Sequence, residues 1–224
     1  MATRTPLTRE LVLDAAIGLA DRDGLDALTM RALADELGVE AMSIYYHLPR
    51  KDAILDGVVE AVLAEVEGEV GGFATPPGTD ASNWSRTLRE RILGARRVLL
   101  RHPWAPTVMT ARGLPGPNAI RHADGVVGIL RAGGMSHDLI HHSLHAMGSR
   151  MYGFVQELSD DSAAPPPEAR AQLAVIAPHL AAMLDDVVHD DPASTLGWCD
   201  DQVEFEFALD LLLDGLAALR QRQP

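Results

Sequence analysis

Apolar residues recur at intervals of three and four along most of the chain, and the β-branched alternation that a half-buried strand needs is scarce. Leu11, Ala15 and Leu19, with Val12 and Ala16 beside them, define the core face of a helix over residues 8–23 that Gly24 ends. Met30, Leu33 and Leu37 repeat at i, i+3 and i+7, which predicts a short helix capped by the Thr29 hydroxyl. Gly38 stands where a helix closes on a left-handed residue, a conformation open to glycine without a Cβ penalty. A second short helix begins after Val39 and runs to about Leu48, with Ala41, Ile44 and Leu48 on one face at about 100° per residue. From Lys51 onward Ile54, Leu55, Val58, Val59, Val62, Leu63 and Val66 form a stripe too long for a small module alone. That helix must join two domains, and the run GGFATPPGTD at 71–80 breaks it.

Beyond the break the pattern is again helical, punctuated by Gly and Pro. Trp84, Leu88, Ile92, Ala95 and Leu99 share a face, and a short piece follows His102, with Pro103 suited to a first helical turn. A helix over 117–132 ends at Gly133 and Gly134, and Ser136 caps a long one reaching about residue 159. After the loop SDDSAAPPP, helices are predicted over 168–189 and 200–222. Ile140, Leu144, Met147, Met151, Phe154 and Leu158 alternate steps of three and four. The last helix carries two stripes, Phe205, Leu209, Leu212, Leu216 and Leu219 on one and Val203, Phe207 and Leu211 on the other. A helix apolar on two sides is buried on two sides. One side can meet its own domain and the other a partner subunit; the alternative is a central helix of a monomer. The expectation is an all-α chain with a small module at 1–52 and a larger helical domain at 53–224. As a homodimer it would pair through Leu144, Met147, Met151, Leu209, Leu212 and Leu216.

Composition agrees, with 47% apolar residues, 4% aromatics and an abundance of Ala and Leu. No apolar run approaches the roughly 18 residues that span a membrane, and the N-terminus MATRTPLTRE has no signal-peptide core. Cys199 is the single cysteine, so no disulfide can form within the chain, and a cytoplasmic location is expected. The net charge of −13 argues at first against nucleic acid. Attraction to DNA depends on local positive groups, however, and Arg4, Arg31, Arg50 and Lys51 all lie in the first quarter. Lys51 is the only lysine.

Two short helices joined by a tight glycine turn form a helix-turn-helix. In its second helix Met42, Ser43 and Tyr46 point away from the packed face, flanked by Tyr45 and His47, an unusual surface for mere solvation. The pattern LTMRALADELGV–AMSIYYHLPRKDAIL, within roughly residues 7–60, resembles the DNA-binding domain of the TetR family of transcriptional repressors. Its Thr-Met-Arg start, Gly-Val turn, Tyr-Tyr-His end and following Lys-Asp carry the match, which is nearest the branch of the tetracycline repressor itself. The resemblance implies a repressor that binds a palindromic operator in double-stranded DNA as a dimer joined by a four-helix bundle. It implies base-facing positions for Arg31, Ala41, Met42 and Tyr45, and phosphate-facing ones for Ser43, Tyr46, His47 and Lys51.

Outside the module, His137, His141 and His145 fall at i, i+4 and i+8 on one helix face. His-x-x-x-His can chelate a metal, but the neighbouring carboxylate is an Asp and no third ligand is evident. No nucleophile elbow, P-loop or dinucleotide fingerprint is present, so neither a cofactor nor an enzyme is expected; a metal-dependent enzyme on the histidine helix is the remote alternative. A ligand cavity between helices of the second domain is the more credible chemistry. Trp84, Ile92, Trp104, Met109, Leu130, His141, His145 and Met151 are its candidate walls for an apolar or weakly polar inducer, with Met135 beside them. A DNA-binding dimer with no small-molecule inducer is the other rival.

Overall fold

The computed structural model describes residues 6–111, 116–153, 167–186 and 201–223. Those residues form α-helices and one short 3-10 turn. The helices are α1 (Arg9–Asp23), α2 (Met30–Leu37), α3 (Ala41–His47), α4 (Lys51–Glu69), α5 (Trp84–Arg101), α6 (Ala105–Ala111), α7 (Pro117–Ala132) and α8 (His137–Gly153). Then follow α9 (Pro167–Ile176), α10 (Pro178–Asp186) and α11 (Asp201–Arg220). The 3-10 turn, Leu25–Ala27, fills the step between α1 and α2. Among the described residues no helix is long and apolar enough to cross a membrane.

The chain divides into two compact units, residues 1–155 with 216–224, and residues 156–215. In the first, α1 packs on α2 and α4, and α4 on α5, α6 and α7. The apolar stripes named above supply its core: Val12, Ala16, Leu33, Ile44, Leu48, Ile54, Val58, Val62 and Val66 are all buried. This cluster does not stop at the small N-terminal module. It continues through Phe73, Ala95, Val98, Leu99, Trp104, Ala105 and Val108, so α1 to α6 share one apolar interior. The N-terminus of α8 is held as anticipated, Ser136 Oγ accepting from the Leu139 N–H at 3.2 Å.

In the second unit α9 and α10 pack on each other. A single helix over 168–189 was expected; the structure instead breaks it at Ala177, before Pro178. Proline has no N–H to donate and its ring collides with the carbonyl four residues back, so the helix restarts there with Pro178 at its first position. The extension of α8 through Phe154 and Leu158, along with Arg4 and Cys199, lies outside the described residues.

Candidate nucleic-acid interface and its junction with the regulatory helices

Local chemistry sets the helix-turn-helix. Thr29 Oγ1 accepts from the Ala32 N–H at 3.1 Å and starts α2. Gly38 closes it in the left-handed conformation (φ 62°, ψ 38°), and the Val39 N–H returns to the Ala34 carbonyl at 3.0 Å. That reversal aims α3 across α2. Ile44 and Leu48 are fully buried and Ala41 is half-buried, which turns the other face outward. Met42 is 76% exposed and Tyr46 88%, with Ser43 and Tyr45 also at the surface. His47 is half-buried, its ring edge-on to Tyr46 at 5.3 Å between centroids. Arg31 projects from the first turn of α2 into solvent, 4.0 Å from Asp35 one turn on. Lys51, the first residue of α4, is exposed, as is Arg50 before it. Of the residues named for DNA, Arg31, Met42, Ser43, Tyr45, Tyr46 and Lys51 are exposed, and Ala41 and His47 are half-buried. An Arg22–Glu36 pair at 2.9 Å braces α1 against α2.

A polar knot ties this head to the start of α6. Trp104 donates its indole N–H to Asp21 Oδ1 at 2.6 Å, and His102 Nδ1 lies 2.9 Å from the same oxygen. The other ring nitrogen of His102 is 3.3 Å from Glu65 Oε2 on α4, which also accepts from Arg101. Both aromatic side chains are buried. Trp104, expected in a ligand cavity, thus belongs to the core shared with α1, and half-buried Met109 packs against that same core.

The other candidate walls whose side chains are described lie outside that core. Trp84, Ile92 and Leu130 are buried outside that core, as is Met135. Trp84 stacks 5.9 Å below the Arg220 guanidinium, which bonds the Gly133 carbonyl at 2.8 Å. His141 and His145 face solvent on α8, their rings 4.7 Å apart. Among the described residues no three His, Cys, Asp or Glu side chains gather as a metal site.

Sequence reasoning did not foresee the role of Arg91. It is 4% exposed, and its guanidinium donates to the carbonyls of Phe73 at 2.6 Å, Ala74 at 2.8 Å and Gly72 at 3.2 Å. Burial lowers its pKa. His122 on α7 stands edge-on to Phe73, and burial followed by the nearby Arg91 charge pushes its pKa down to about 4. Gly125 leaves the room that Arg91 and the Phe73 carbonyl occupy. A cleft of about 200 Å³ is lined by Arg91 together with Glu69, Val70, Thr87, Glu90 and Arg97. Arg91 is one of six arginines in α5, and Arg96 is buried as well, so the sequence did not single it out; its carbonyl partners, 17 to 19 residues away in a loop, carry no signal either.

Residues 12–58 match the family of bacterial regulatory proteins called tetR, and residues 76–220 match the tetracyclin repressor-like C-terminal domain. An HTH-type transcriptional regulator of Saccharopolyspora erythraea is 32% identical over 96% of this chain and 87% of its own length. A solved structure of a possible TetR family regulator from Streptomyces coelicolor A3(2) is similar with a TM-score of 0.72 at 30% identity, covering 94% of this chain and 99% of that one. ActR of Streptomyces coelicolor, solved with actinorhodin, is similar with a TM-score of 0.71 at 27% identity, over 96% and 99%. The chain belongs to the TetR family and is a DNA-binding transcriptional regulator.

Proposed function

We propose that the chain is a repressor that binds an inverted-repeat operator as a homodimer, through a head at 1–52, and lets go when a small apolar or weakly polar molecule enters the domain at 53–224. One observation carries this reading: the head is not tethered by α4 alone, because Asp21 of α1 is locked to His102 and Trp104 at the threshold of α6. A displacement of α6 is thereby a displacement of α1, and two recognition helices must match a fixed groove spacing to bind together. The similar protein ActR, held with actinorhodin, supports a small-molecule effector. Dimer formation is supported by α11. Phe205, Leu209, Leu213 and Leu216 are buried within the single chain, yet Phe207 is 44% and Leu211 59% exposed. That uncovered stripe suits a second copy, and Leu144 and Met147 of α8 are half-buried and buried respectively.

The test is thermodynamic. Coupling between ligand and operator is typically about 1–3 kcal/mol, roughly 5- to 150-fold, and is reciprocal. A compound found by screening for operator release must itself bind that much more weakly when operator is present, as calorimetry reads directly. A compound with the same affinity in both states would be a passenger. A second reading, a dimer that answers a partner protein instead, is favoured by Arg91 filling the space between α5 and α7. A broad compound screen yielding no releasing ligand would support it.

A further inference from the structure

The recognition helix has a peculiar vocabulary. Its seven side chains, Ala41 to His47, include no arginine, lysine, asparagine, glutamine, aspartate or glutamate. Bidentate reading of a purine edge uses Arg or Lys for guanine and Asn or Gln for adenine, so α3 contains none of the groups that perform it. What α3 presents outward is a thioether chain, three hydroxyls and an imidazole, and its most exposed aliphatic group is Met42. In the major groove one base feature is apolar, the C5-methyl of thymine, and an aliphatic side chain recognises it by excluding water.

Met42 is unbranched and follows irregular shapes, and it lies one residue from the N-terminus of α3, beside Tyr45 one turn further on. Arg31 extends into solvent from the neighbouring helix, 4.0 Å from Asp35, and its guanidinium suits a guanine. We propose that Met42 is a specificity-determining residue that reads the methyl group of a thymine in each operator half-site. Readout by α3 is then by methyl contact and shape, with hydrogen-bonded purine recognition left to Arg31. This rests on the operator-binding reading above and names the base chemistry that the surface fits.

The experiment starts from random duplexes selected on the full-length protein, so no operator need be known. Each thymine of the selected duplex is then replaced by deoxyuridine, which deletes the methyl and leaves every hydrogen-bonding edge intact. One symmetry-related thymine pair should lose about 4-fold in affinity per methyl, roughly 15-fold for both, the value of a buried methylene. In Met42→Ala the same replacement should have no effect, while the variant keeps its helical circular dichroism and its salt-dependent affinity for unrelated DNA. Methyl-insensitive thymines throughout would overturn the proposal, as would an unchanged methyl penalty in Met42→Ala, which would assign the effect to DNA shape. Failure to enrich any duplex would instead overturn operator binding itself, and this inference with it.

Discussion

Trp104 reaches back 83 residues to donate its indole N–H to Asp21, at 2.6 Å, across the seam between the DNA-binding head and α6. Asp21 also accepts from His102, so its removal leaves two buried donors without a partner. Orphaned buried groups cost about 1–3 kcal/mol each. Asp21→Ala should therefore lower stability by about 2–4 kcal/mol, and Trp104→Phe by about 1–2 kcal/mol. The double variant should cost less than the sum, by at least about 0.5 kcal/mol in urea titrations. Strict additivity would mean that the two side chains are neighbours without being coupled.

Gly125→Ala places a methyl on the Phe73 carbonyl oxygen and on the Arg91 guanidinium, one of which is backbone. Neither can step aside without breaking the bond between them. Overpacking of this kind costs about 1–3 kcal/mol, and a drop in the denaturant midpoint at constant slope would report it. Wild-type stability would show that the 72–74 loop yields freely.

Leu211→Glu addresses the assembly. Leu211 is exposed in the single chain, so a carboxylate there is tolerated by a monomer and costs several kcal/mol only inside an apolar seam between subunits. Sedimentation should show folded monomers. Leu216→Glu makes the control, because Leu216 is already buried within the chain and its variant should unfold. Dimers of unchanged strength in Leu211→Glu would move the interface off this stripe.

His122 supplies a pH signature. Its folded pKa of about 4 lies below the ~6.5 of an unfolded histidine, so the unfolded chain takes up the proton first. The stability from keeping His122 neutral is complete above pH ~6.5 and is lost as pH falls from there to about 4, on the order of 2–3 kcal/mol. His122→Gln cannot take up that proton. The stability difference between the two proteins should narrow or reverse across this window; parallel curves would mean that His122 titrates alike in both states.

Lys51, exposed at the head of α4, carries no base information if it meets a phosphate. Lys51→Ala should weaken all duplexes equally and reduce the slope of log affinity against log salt by about 0.9. An effect confined to particular sequences would reassign it to base readout.

The short-range parts of this architecture were legible in the residues because their causes are local. Thr29 and Gly38 bracket α2 through bonds within five residues, and the Ile44–Leu48 face fixed which side of α3 is outward. Pro178 was equally local and was overlooked, since the apolar period runs through it unbroken. The junction was not legible, because nothing near Asp21 distinguishes it from other surface carboxylates until the chain brings Trp104 and His102 to it. Arg91 was hidden for the same reason, its partners being carbonyls that every residue owns.

Because Val12, Ala16, Ile44 and Leu48 belong to the same apolar cluster as Val98, Trp104 and Val108, the reading head is not an exchangeable cartridge. Transplanting it between related proteins would import half of a jigsaw whose other half stays behind. New operator preferences are therefore more safely written by editing the outer positions of α3 than by swapping the module beneath them. The same shared interior means that a displacement of α4, α5 or α6 would also press on α1.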